Sequence, residues 1–451
     1  MNDLYNSPPR KHWRIRRMIV IPLLLSVISL LLILSHSKGK SFIIGTYVKV
    51  AFKIEEPEPM VLEPLPPQDY TFKWPPDLNQ PLCMPKIYVY PDDARMGEFQ
   101  VSGIEGVGTN YMSEQILLSQ LRDKSSDVYR NYVTEKPEEA DFFYIPFLGA
   151  KYLTYCWFGK GIKGDCDVDE LYVKPMMRHI QEDYPYWNRT FGRDHIITHP
   201  MDSTSLYYNA RHTMQNATFL TTIGDKRVKF TNEGRARRYD DIVIPSSTAL
   251  LHLAKFNPLD YVTEDGHPKK GSRDVFVIFG GLYKDVKPAD EYSGGIRSLI
   301  RALEHQYGYK VAAHWESPDY SNLLSRAKYG LAPQGWTLDT TRIWEYIAFG
   351  VVPVVIADGI VEPFEDDLDW DSFIVRIPRR NAHKMDLILR SISDEEYESK
   401  RQALWDHGRH TLFDQHAWDL IVRGLCRKGG LAGLRTIDRD HHEALPQEFT
   451  I

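Results

Sequence analysis

Short apolar runs alternate with segments of helical spacing along most of this chain. In the stretch Lys328–Asp358, an apolar run (Tyr329–Ala332) leads into a turn, then into a segment with helical spacing, and then into the β-prone run VVPVVIAD. Strand, tight turn, helix and strand in this order predict a βαβ unit. Asp339 suits a helix N-cap, and Gly350 stands where a glycine commonly ends a helix.

The same alternation recurs in two blocks of about 180 residues each. In the first block we predict strands in PKIYVYPDD (85–93) and PEEADFFYIPFL (137–148), with a helix in NYMSEQILLSQLRDK (110–124) between them. In the second, DVFVIFGGLY (274–283) predicts a strand that ends in paired glycines. This order predicts an α/β fold with two Rossmann-like domains, 85–268 and 269–428. The terminal helices of the second domain have these core candidates: Leu387, Leu389, Leu404, Leu412, Leu420 and Leu425.

The predicted helix in the stretch Lys328–Asp358 carries candidate phosphate-binding chemistry. Its N-terminus would present unpaired N–H groups and a partial positive charge. Arg342 falls in the first turn, and Glu345 lies three residues later on the same face. A cation beside a carboxylate suits the diphosphate and ribose of a nucleotide. The alternative is a core βαβ unit with a surface Arg–Glu pair.

The paired glycines of the second block give another candidate phosphate loop. Gly280 and Gly281 end a predicted strand, and the helix predicted over residues 295–305 carries Arg297. A strand, a glycine turn and a helix in this order are typical of a loop that faces a phosphate.

The N-terminal 84 residues look unlike a folded domain. Residues 18–35 form an apolar run of the length that a membrane-spanning helix needs, and five basic residues precede it within residues 10–17. The positive-inside rule then predicts a cytosolic tail, 1–17, an uncleaved signal-anchor, 18–35, and a proline-rich stem, 36–84. The chain after the anchor would lie in the lumen of the secretory pathway. A cleaved signal peptide is the competing interpretation.

Charge and cysteine content narrow the classes of function. A formal net charge of −6 argues against a general nucleic-acid-binding protein, and four cysteines in 451 residues do not make a disulfide-dense scaffold. Cys156 and Cys166 could close a small loop in an oxidising compartment; two separate thiols are the alternative. Asp165, Asp167 and Asp169 alternate as in a metal-binding DxD motif, but alternating acids are more often solvated, so no metal site is predicted.

Two tripeptides match the acceptor sequence for N-glycosylation. They begin at Asn188 (NRT) and Asn216 (NAT), on the side of the anchor that we expect to be luminal.

The segment GRDHIITHPMD (192–202) is a candidate for acid–base chemistry. Asp194 and His195 are adjacent at the start of a β-prone run, with His199 and Asp202 further along. A histidine next to a carboxylate can act as a general base because its pKa lies near working pH. The alternative is that these side chains only satisfy backbone groups at a strand edge.

Taken together, these motifs resemble the exostosin-like glycosyltransferases (glycosyltransferase family 47), which include many plant wall-polysaccharide transferases. The resemblance covers residues 86–380, and its most specific segment is APQGWTLDTTRIWEYIAFGVVPVVIADGIVEPFED (332–366). The other segments are KIYVY (86–90), PEEADFFYIPF (137–147) and WNRTFGRDH (187–195). The run THPMDST after GRDH departs from the family pattern, which leaves the acceptor side and the base less well defined.

The resemblance implies a GT-B-type enzyme, with two Rossmann-like domains facing across a cleft. It also implies a nucleotide-sugar donor, usually a UDP-sugar, a glycan acceptor, transfer with inversion, no obligatory metal or other cofactor, and a Golgi membrane location with a luminal catalytic part. Our hypothesis for the opposite domain is that Asp194 or His195 is the base or its orienter. By motif position, Arg342 is the expected diphosphate contact and Glu345 the expected ribose or sugar contact. The expected donor contacts are Arg342, Glu345, Gly335, Thr340 and Thr341, with Gly281 and Arg297 added from the second glycine loop.

Two other classes of function are compatible with the sequence. The chain could be a catalytically weak partner that stabilises or localises another transferase. It could also be a carbohydrate-binding module that stacks sugars on Trp157, Trp187, Trp336 or Trp344. The Arg342–Glu345 pair favours the enzyme. Residues 429–451 look loosely ordered.

Overall fold

The computed structural model describes nine segments of the chain, and all of them lie in one compact unit, Asp69–Ile451. The described residues are 83–91, 111–154, 167–201, 210–225, 241–247, 257–281, 292–312, 319–411 and 417–428. Within these segments, no helix is both long and apolar enough to cross a membrane. The predicted anchor, most of the stem, the tail 429–451, Cys156 and Cys166 lie outside the described residues.

The first half is a five-stranded parallel sheet in the order β1-β2-β3-β4-β5. Its strands are β1 (Ile87–Val89), β2 (Phe142–Ile145), β3 (His195–His199), β4 (Thr218–Thr221) and β5 (Ile242–Val243). Its helices are α1 (Ser113–Arg122), α2 (Asp127–Tyr132), α3 (Gly149–Thr154), α4 (Lys174–Asp183), α5 (Tyr186–Thr190) and α6 (Ala210–Thr213). β2 is buried along its whole length, as expected for a parallel strand with both faces covered.

The second half is also a five-stranded parallel sheet, in the order β7-β6-β8-β9-β10. Its strands are β6 (Val275–Gly280), β7 (Lys310–Ala312), β8 (Ala327–Pro333), β9 (Val352–Ile356) and β10 (Val375–Arg376). Its helices are α7 (Ile296–Tyr307), α8 (Asp319–Arg326), α9 (Arg342–Ala348), α10 (Met385–Ser391), α11 (Asp394–Asp406) and α12 (residues 417–428). The predicted α/β architecture of two Rossmann-like sheets is confirmed.

The βαβ unit β8-α9-β9 occurs where it was predicted, but its helix starts later. α9 begins at Arg342, and Thr341 occupies the N-cap position, so the prediction of Asp339 as the N-cap is wrong. The preceding residues form a turn of their own, in which Gly335 N–H bonds the carbonyl of Thr337 at 2.9 Å. Gly350 follows the helix with φ +68°, as predicted for a glycine at this place.

Four of the leucines that were predicted to form the core of the terminal helices are buried. They are Leu389, Leu404, Leu420 and Leu425. Leu387 is 57% exposed, and its prediction as a core residue is wrong because it lies on the opposite face of α10 from Leu389. Leu412 falls outside the described residues.

α12 connects the two halves. Trp418 Nε1 donates to Gln120 Oε1 of α1 at 2.9 Å, and Cys426 is disulfide-bonded to Cys83, just before β1. On the side of the second half, Arg423 Nε lies 3.0 Å from Asp367 Oδ1. The helix was predicted as part of the second domain, and its contacts extend to both halves.

The carboxyl ends of the two sheets approach each other through the loop that follows β9. Val361 N–H bonds the carbonyl of Gly224, beyond β4, at 3.1 Å. Phe364 N–H bonds the carbonyl of Val243, at the end of β5, also at 3.1 Å. Both contacts come from the edge at which parallel α/β sheets bind their ligands.

Candidate active site

The strand order of the second sheet contains a topological switch point between β6 and β8. From β6 the chain passes to β7 on one side of the sheet and then to β8 on the other side. In open α/β sheets the crevice outside the carboxyl ends of two such strands is the usual ligand site. Gly280 ends β6 there and Gly281 follows it, and Gln334 and Gly335 follow β8. The two predicted glycine turns therefore lie at one edge.

Arg297 and Gly335 lie side by side at this switch point. A Cβ placed on Gly335 would lie 3.4 Å from Arg297 Nη2, and Ser293 N–H bonds the carbonyl of Gly335 at 3.0 Å. Arg297 belongs to the first turn of α7. Its Nη1 donates to the hydroxyl of Tyr292 at 2.6 Å, and its guanidinium lies 5.6 Å from the ring centre of Phe279 in β6. These contacts hold a cation over the carboxyl end of β6.

Arg342 and Glu345 form the predicted pair on α9. Arg342 Nη1 lies 2.8 Å from both carboxylate oxygens of Glu345, and Tyr320 of α8 donates its hydroxyl to Glu345 Oε2 at 2.7 Å. Burial tends to lower the pKa of Arg342, but attraction to Glu345 and Tyr320 outweighs it and raises the pKa above its ordinary value. The Glu345 side chain is 5% exposed and that of Arg342 29%, so Arg342 is the more accessible member of the pair.

Thr340 and Thr341 belong to the turn that leads into α9. Thr340 is buried, and its carbonyl accepts the N–H of Ile343 at 3.2 Å. Thr341 is half-buried and makes no side-chain capping bond. The two residues shape the turn.

Tyr346 anchors α9 to the switch point, and the sequence reading did not select it. Its hydroxyl donates to the carbonyl of Leu331 in β8 at 3.1 Å, and a Cβ on Gly330 would lie 2.5 Å from its ring. The Tyr346 ring occupies the space that a side chain at position 330 would fill, so glycine at this position makes room for it. A buried aromatic in a helical pattern looks like any core residue in sequence, so the hydroxyl contact could not be predicted.

Arg379 is a second residue at this edge that the sequence reading missed. It follows β10, it is exposed, and its guanidinium carbon lies 2.5 Å from where a Cβ on Gly294 would stand. Gly294 and Gly295 both have positive φ, at 56° and 81°, immediately before α7. The available signal was the basic pair Arg379–Arg380 directly after a β-prone run.

Asp194 and His195 lie at the opposite edge of the first sheet. His195 is the first residue of β3, at its amino end, and it is fully buried. Its Nδ1 lies 2.7 Å from Asp194 Oδ1, and its Nε2 lies 2.8 Å from the hydroxyl of Tyr90. The ring stacks against Phe143, with centres 5.3 Å apart. The carboxyl end of β3, at His199, is about 13 Å away along the strand.

The contacts of Asp194 complete this network. Arg189 Nη2 donates to Asp194 Oδ2 at 2.8 Å, and the hydroxyl of Thr190 donates to Asp194 Oδ1 at 2.5 Å. Burial acts to raise the pKa of Asp194, but the bonds from His195, Thr190 and Arg189 lower it overall. Burial also lowers the pKa of His195 despite its carboxylate neighbour. This geometry favours a structural role over direct contact with an acceptor.

The remaining predicted sites have simpler outcomes. Asn188 and Asn216 are exposed, as glycosylation acceptors must be, and their modification stays a prediction. Among the described residues, no group of three or more histidine, cysteine or acidic side chains is placed to hold a metal ion. The structure pairs Cys83 with Cys426, with Cα atoms 5.8 Å apart, a bridge that the sequence reading did not select.

The four tryptophans proposed for sugar stacking separate by burial. Trp336 is 44% exposed and packs edge-on against Tyr292, with ring centres 5.1 Å apart, beside Arg297. Trp344 and Trp187 are buried core residues, and Trp157 lies outside the described residues. An exposed ring next to the switch point is available to a ligand there.

The chain is similar in sequence to a known protein family and to several of its members. The Exostosin GT47 domain matches residues 84–392. The Arabidopsis thaliana protein "Probable beta-1,4-xylosyltransferase IRX10" is 26% identical over 370 residues, which cover 78% of this chain and 84% of the relative. The rice (Oryza sativa subsp. japonica) protein "Probable glucuronosyltransferase Os04g0398600" is 28% identical over 315 residues, which cover 65% of this chain and 70% of the relative.

Solved structures align only weakly. The Staphylococcus aureus MnaA–UDP structure covers 73% of this chain and 94% of its own at 11% identity, with a TM-score of 0.32. Anabaena HepE in complex with UDP covers 76% and 98% at 10% identity, with a TM-score of 0.31. These scores are too low to support a conclusion.

The family match spans more than half of the chain, and it includes both sheets and every residue described above at the β6/β8 switch point. The named relatives are transferases, so they do not favour the alternative of a catalytically weak partner subunit. The chain belongs to the exostosin GT47 family and is a glycosyltransferase.

Proposed function

We propose that the protein transfers a sugar from a UDP-sugar to a glycan acceptor, with inversion, in the lumen of the Golgi apparatus. The observation that carries the donor assignment is the meeting of Arg297 with Gly335 at the β6/β8 switch point. Two segments far apart in sequence meet here, and they place the guanidinium group of Arg297 beside the backbone of a glycine, Gly335. That combination suits the close approach of a diphosphate.

Each donor-side residue has a role in this proposal. Arg297, Arg342 and Arg379 supply positive charge to the diphosphate, which is also the leaving group as the sugar departs. Glu345 orients Arg342 through the contacts at 2.8 Å and is itself held by Tyr320. Trp336 offers a stacking face to the nucleobase.

The acceptor hydroxyl must lose a proton to a base during an inverting displacement. We propose that this base lies at the carboxyl edge of the first sheet, since the loop after β9 meets that edge through Gly224 and Val243. Asp194 and His195 then stabilise the first sheet from its other end. No metal is required in this proposal, so turnover should persist in excess EDTA.

The location rests on sequence and on one covalent bond. The predicted signal-anchor, 18–35, and the exposed acceptors Asn188 and Asn216 agree with a luminal catalytic part. The Cys83–Cys426 disulfide is of the kind that forms in an oxidising compartment.

The test is UDP binding and UDP release by the full-length chain, with a panel of UDP-sugars as donors. Arg379→Ala should weaken UDP binding by about tenfold, because one guanidinium contact to the diphosphate is lost. Arg380→Ala, which removes the adjacent exposed guanidinium, is the matched control and should bind UDP as the wild type does. If the wild-type chain fails to bind UDP, the donor assignment is wrong.

A further inference from the structure

A cavity of about 600 Å³ opens at the carboxyl ends of β9 and β10, beneath residues 357–371. This volume is within the range of small-molecule sites, about 300–1,000 Å³. The cavity shares its edge of the sheet with the switch point but is separate from the arginines described there.

Two contacts join the cavity to the proposed diphosphate site. Gln334 N–H, in the turn after β8, bonds the carbonyl of Ile356 at the end of β9 at 3.1 Å. The backbone N–H of Arg379 donates to Asp358 Oδ1 at 2.9 Å, and Asp358 lines the cavity. β8 and β10 are two strand spacings apart, about 10 Å, which places the cavity within reach of a group attached to a diphosphate at β6 and β8.

The walls of the cavity combine apolar and acidic surfaces. Leu368, Trp370 and Ile377 are buried and apolar. A sugar ring presents C–H surface to such a wall and hydroxyl donors to carboxylate acceptors. The carboxylates that line the cavity are Asp358, Glu365, Asp366, Asp367, Asp369 and Asp371.

One of these carboxylates has an unused acceptor. Asp367 Oδ1 is bonded to Arg423 Nε at 3.0 Å and also to Arg427. Asp367 Oδ2 is buried and has no hydrogen-bond partner in the part of the chain that the structure describes. A buried acceptor without a donor costs free energy, and a ligand hydroxyl at this wall would satisfy it.

The cation that lines the cavity is already engaged on both sides. Arg376 Nη1 lies 3.2 Å from Glu362 Oε1, a buried carboxylate, and Arg376 Nε lies 2.5 Å from Asp371 Oδ1. A carboxylate on a bound sugar would therefore meet acidic walls, and Arg376, the guanidinium among the described residues that line the cavity, is already paired. Like charges in a partly buried site repel.

We propose that this cavity holds the transferred sugar of the donor and selects a neutral pentosyl or hexosyl group over a uronyl group. The inference rests on the proposed UDP-sugar donor. It separates two activities that appear in the names of the relatives, xylosyl transfer and glucuronosyl transfer, by the charge of the sugar alone.

The test compares the affinities of the full-length chain for UDP, UDP-xylose and UDP-glucuronate by calorimetry. UDP-xylose should bind at least about tenfold more tightly than UDP-glucuronate, because only the uronate meets like charge in the cavity. Failure of all three ligands to bind would overturn the proposed function. Binding of UDP with equal or better affinity for UDP-glucuronate would overturn only the sugar selection.

A variant pair tests the cavity itself. Asp371→Asn removes a rim carboxylate and releases Arg376 from one partner, so the preference for UDP-xylose over UDP-glucuronate should shrink several-fold. Asp260→Asn removes an equal charge from an exposed position in the segment before β6, and the preference should stay as in the wild type. An unchanged preference in Asp371→Asn would place the sugar outside this cavity.

Discussion

Arg342 Nη1 lies 2.8 Å from each of the two carboxylate oxygens of Glu345, one helical turn away. The Glu345 side chain is nearly inaccessible, whereas that of Arg342 is still partly exposed. The pair is therefore asymmetric. Glu345 fixes the position of Arg342, and the Arg342 side chain remains partly exposed.

This asymmetry predicts different outcomes for two substitutions of Arg342. Arg342→Lys keeps a positive charge next to buried Glu345 but loses the planar donor group, so turnover should fall roughly 10- to 100-fold while the melting temperature changes little. Arg342→Ala should also lower the melting temperature, because it leaves a buried carboxylate without its cation. UDP release and thermal melts measure the two effects. Wild-type turnover in Arg342→Lys would contradict a role at the leaving group.

Two glycines near the switch point predict unequal effects on stability. A Cβ on Gly330 would lie 2.5 Å from the Tyr346 ring, so Gly330→Ala should lower the free energy of unfolding by about 1–3 kcal/mol. A Cβ on Gly335 has ordinary contact with Arg297 Nη2 at 3.4 Å. Gly335→Ala should therefore change stability by less than about 0.5 kcal/mol, yet weaken UDP binding. Equal destabilisation by both would show that Gly335 matters only for packing.

The buried His195 predicts a pH dependence of stability. Burial holds its pKa in the folded chain below the ordinary value. Below about pH 6.5 the unfolded chain therefore takes up a proton that the folded chain does not, so this contribution is complete above about 6.5 and is lost as the pH falls toward the folded-state pKa. Asp194, whose pKa is also lowered, loses its contribution only below about pH 4.

Denaturant unfolding between about pH 7.5 and pH 5.5 covers the titration of this histidine. Burial raises the pKa of Glu362 to about 7 and that of Glu114 to about 8, so these carboxyls titrate near the same interval with the opposite sign, and the comparison of variant with wild type removes their common contribution. His195→Gln should flatten the fall in stability over this interval. His305→Gln, which removes an exposed histidine from α7, should leave the slope as it is. Parallel curves for His195→Gln and wild type would show that the buried ring does not govern the slope.

The Cys83–Cys426 disulfide joins two residues that are far apart in sequence, and its removal should lower stability strongly. Either Cys83→Ser or Cys426→Ser should lower the free energy of unfolding by about 2–4 kcal/mol, since the bond ties α12 to the chain just before β1. The double variant should be no less stable than either single one. Additive losses in the double variant would mean that the two cysteines act independently.

The local elements were predictable because they depend on local chemistry. Alternating apolar runs and helical spacing located β8, α9 and β9, and the i, i+3 spacing of Arg342 and Glu345 predicted their contact. The start of α9 was not predictable from Asp339, because the loop after β8 uses its own backbone hydrogen bonds before the helix begins. Leu387 and Leu389 are the same residue type two positions apart, and they differ in burial because they lie on different faces of the helix.

By itself, the sequence determined the class of fold and the family, and it singled out Arg342, Glu345, Gly335 and Arg297 as candidates for donor contacts, because short motifs and periodic burial are encoded within a few residues of chain. Only the tertiary structure decided which side chains meet across the sheet. Strand order joined Arg297 to Gly335 and brought Arg379 to Gly294. Strand direction put His195 at the buried amino end of β3, away from the carboxyl edge at which parallel α/β sheets usually bind ligands. Both depend on contacts between residues distant in sequence, which no local pattern records.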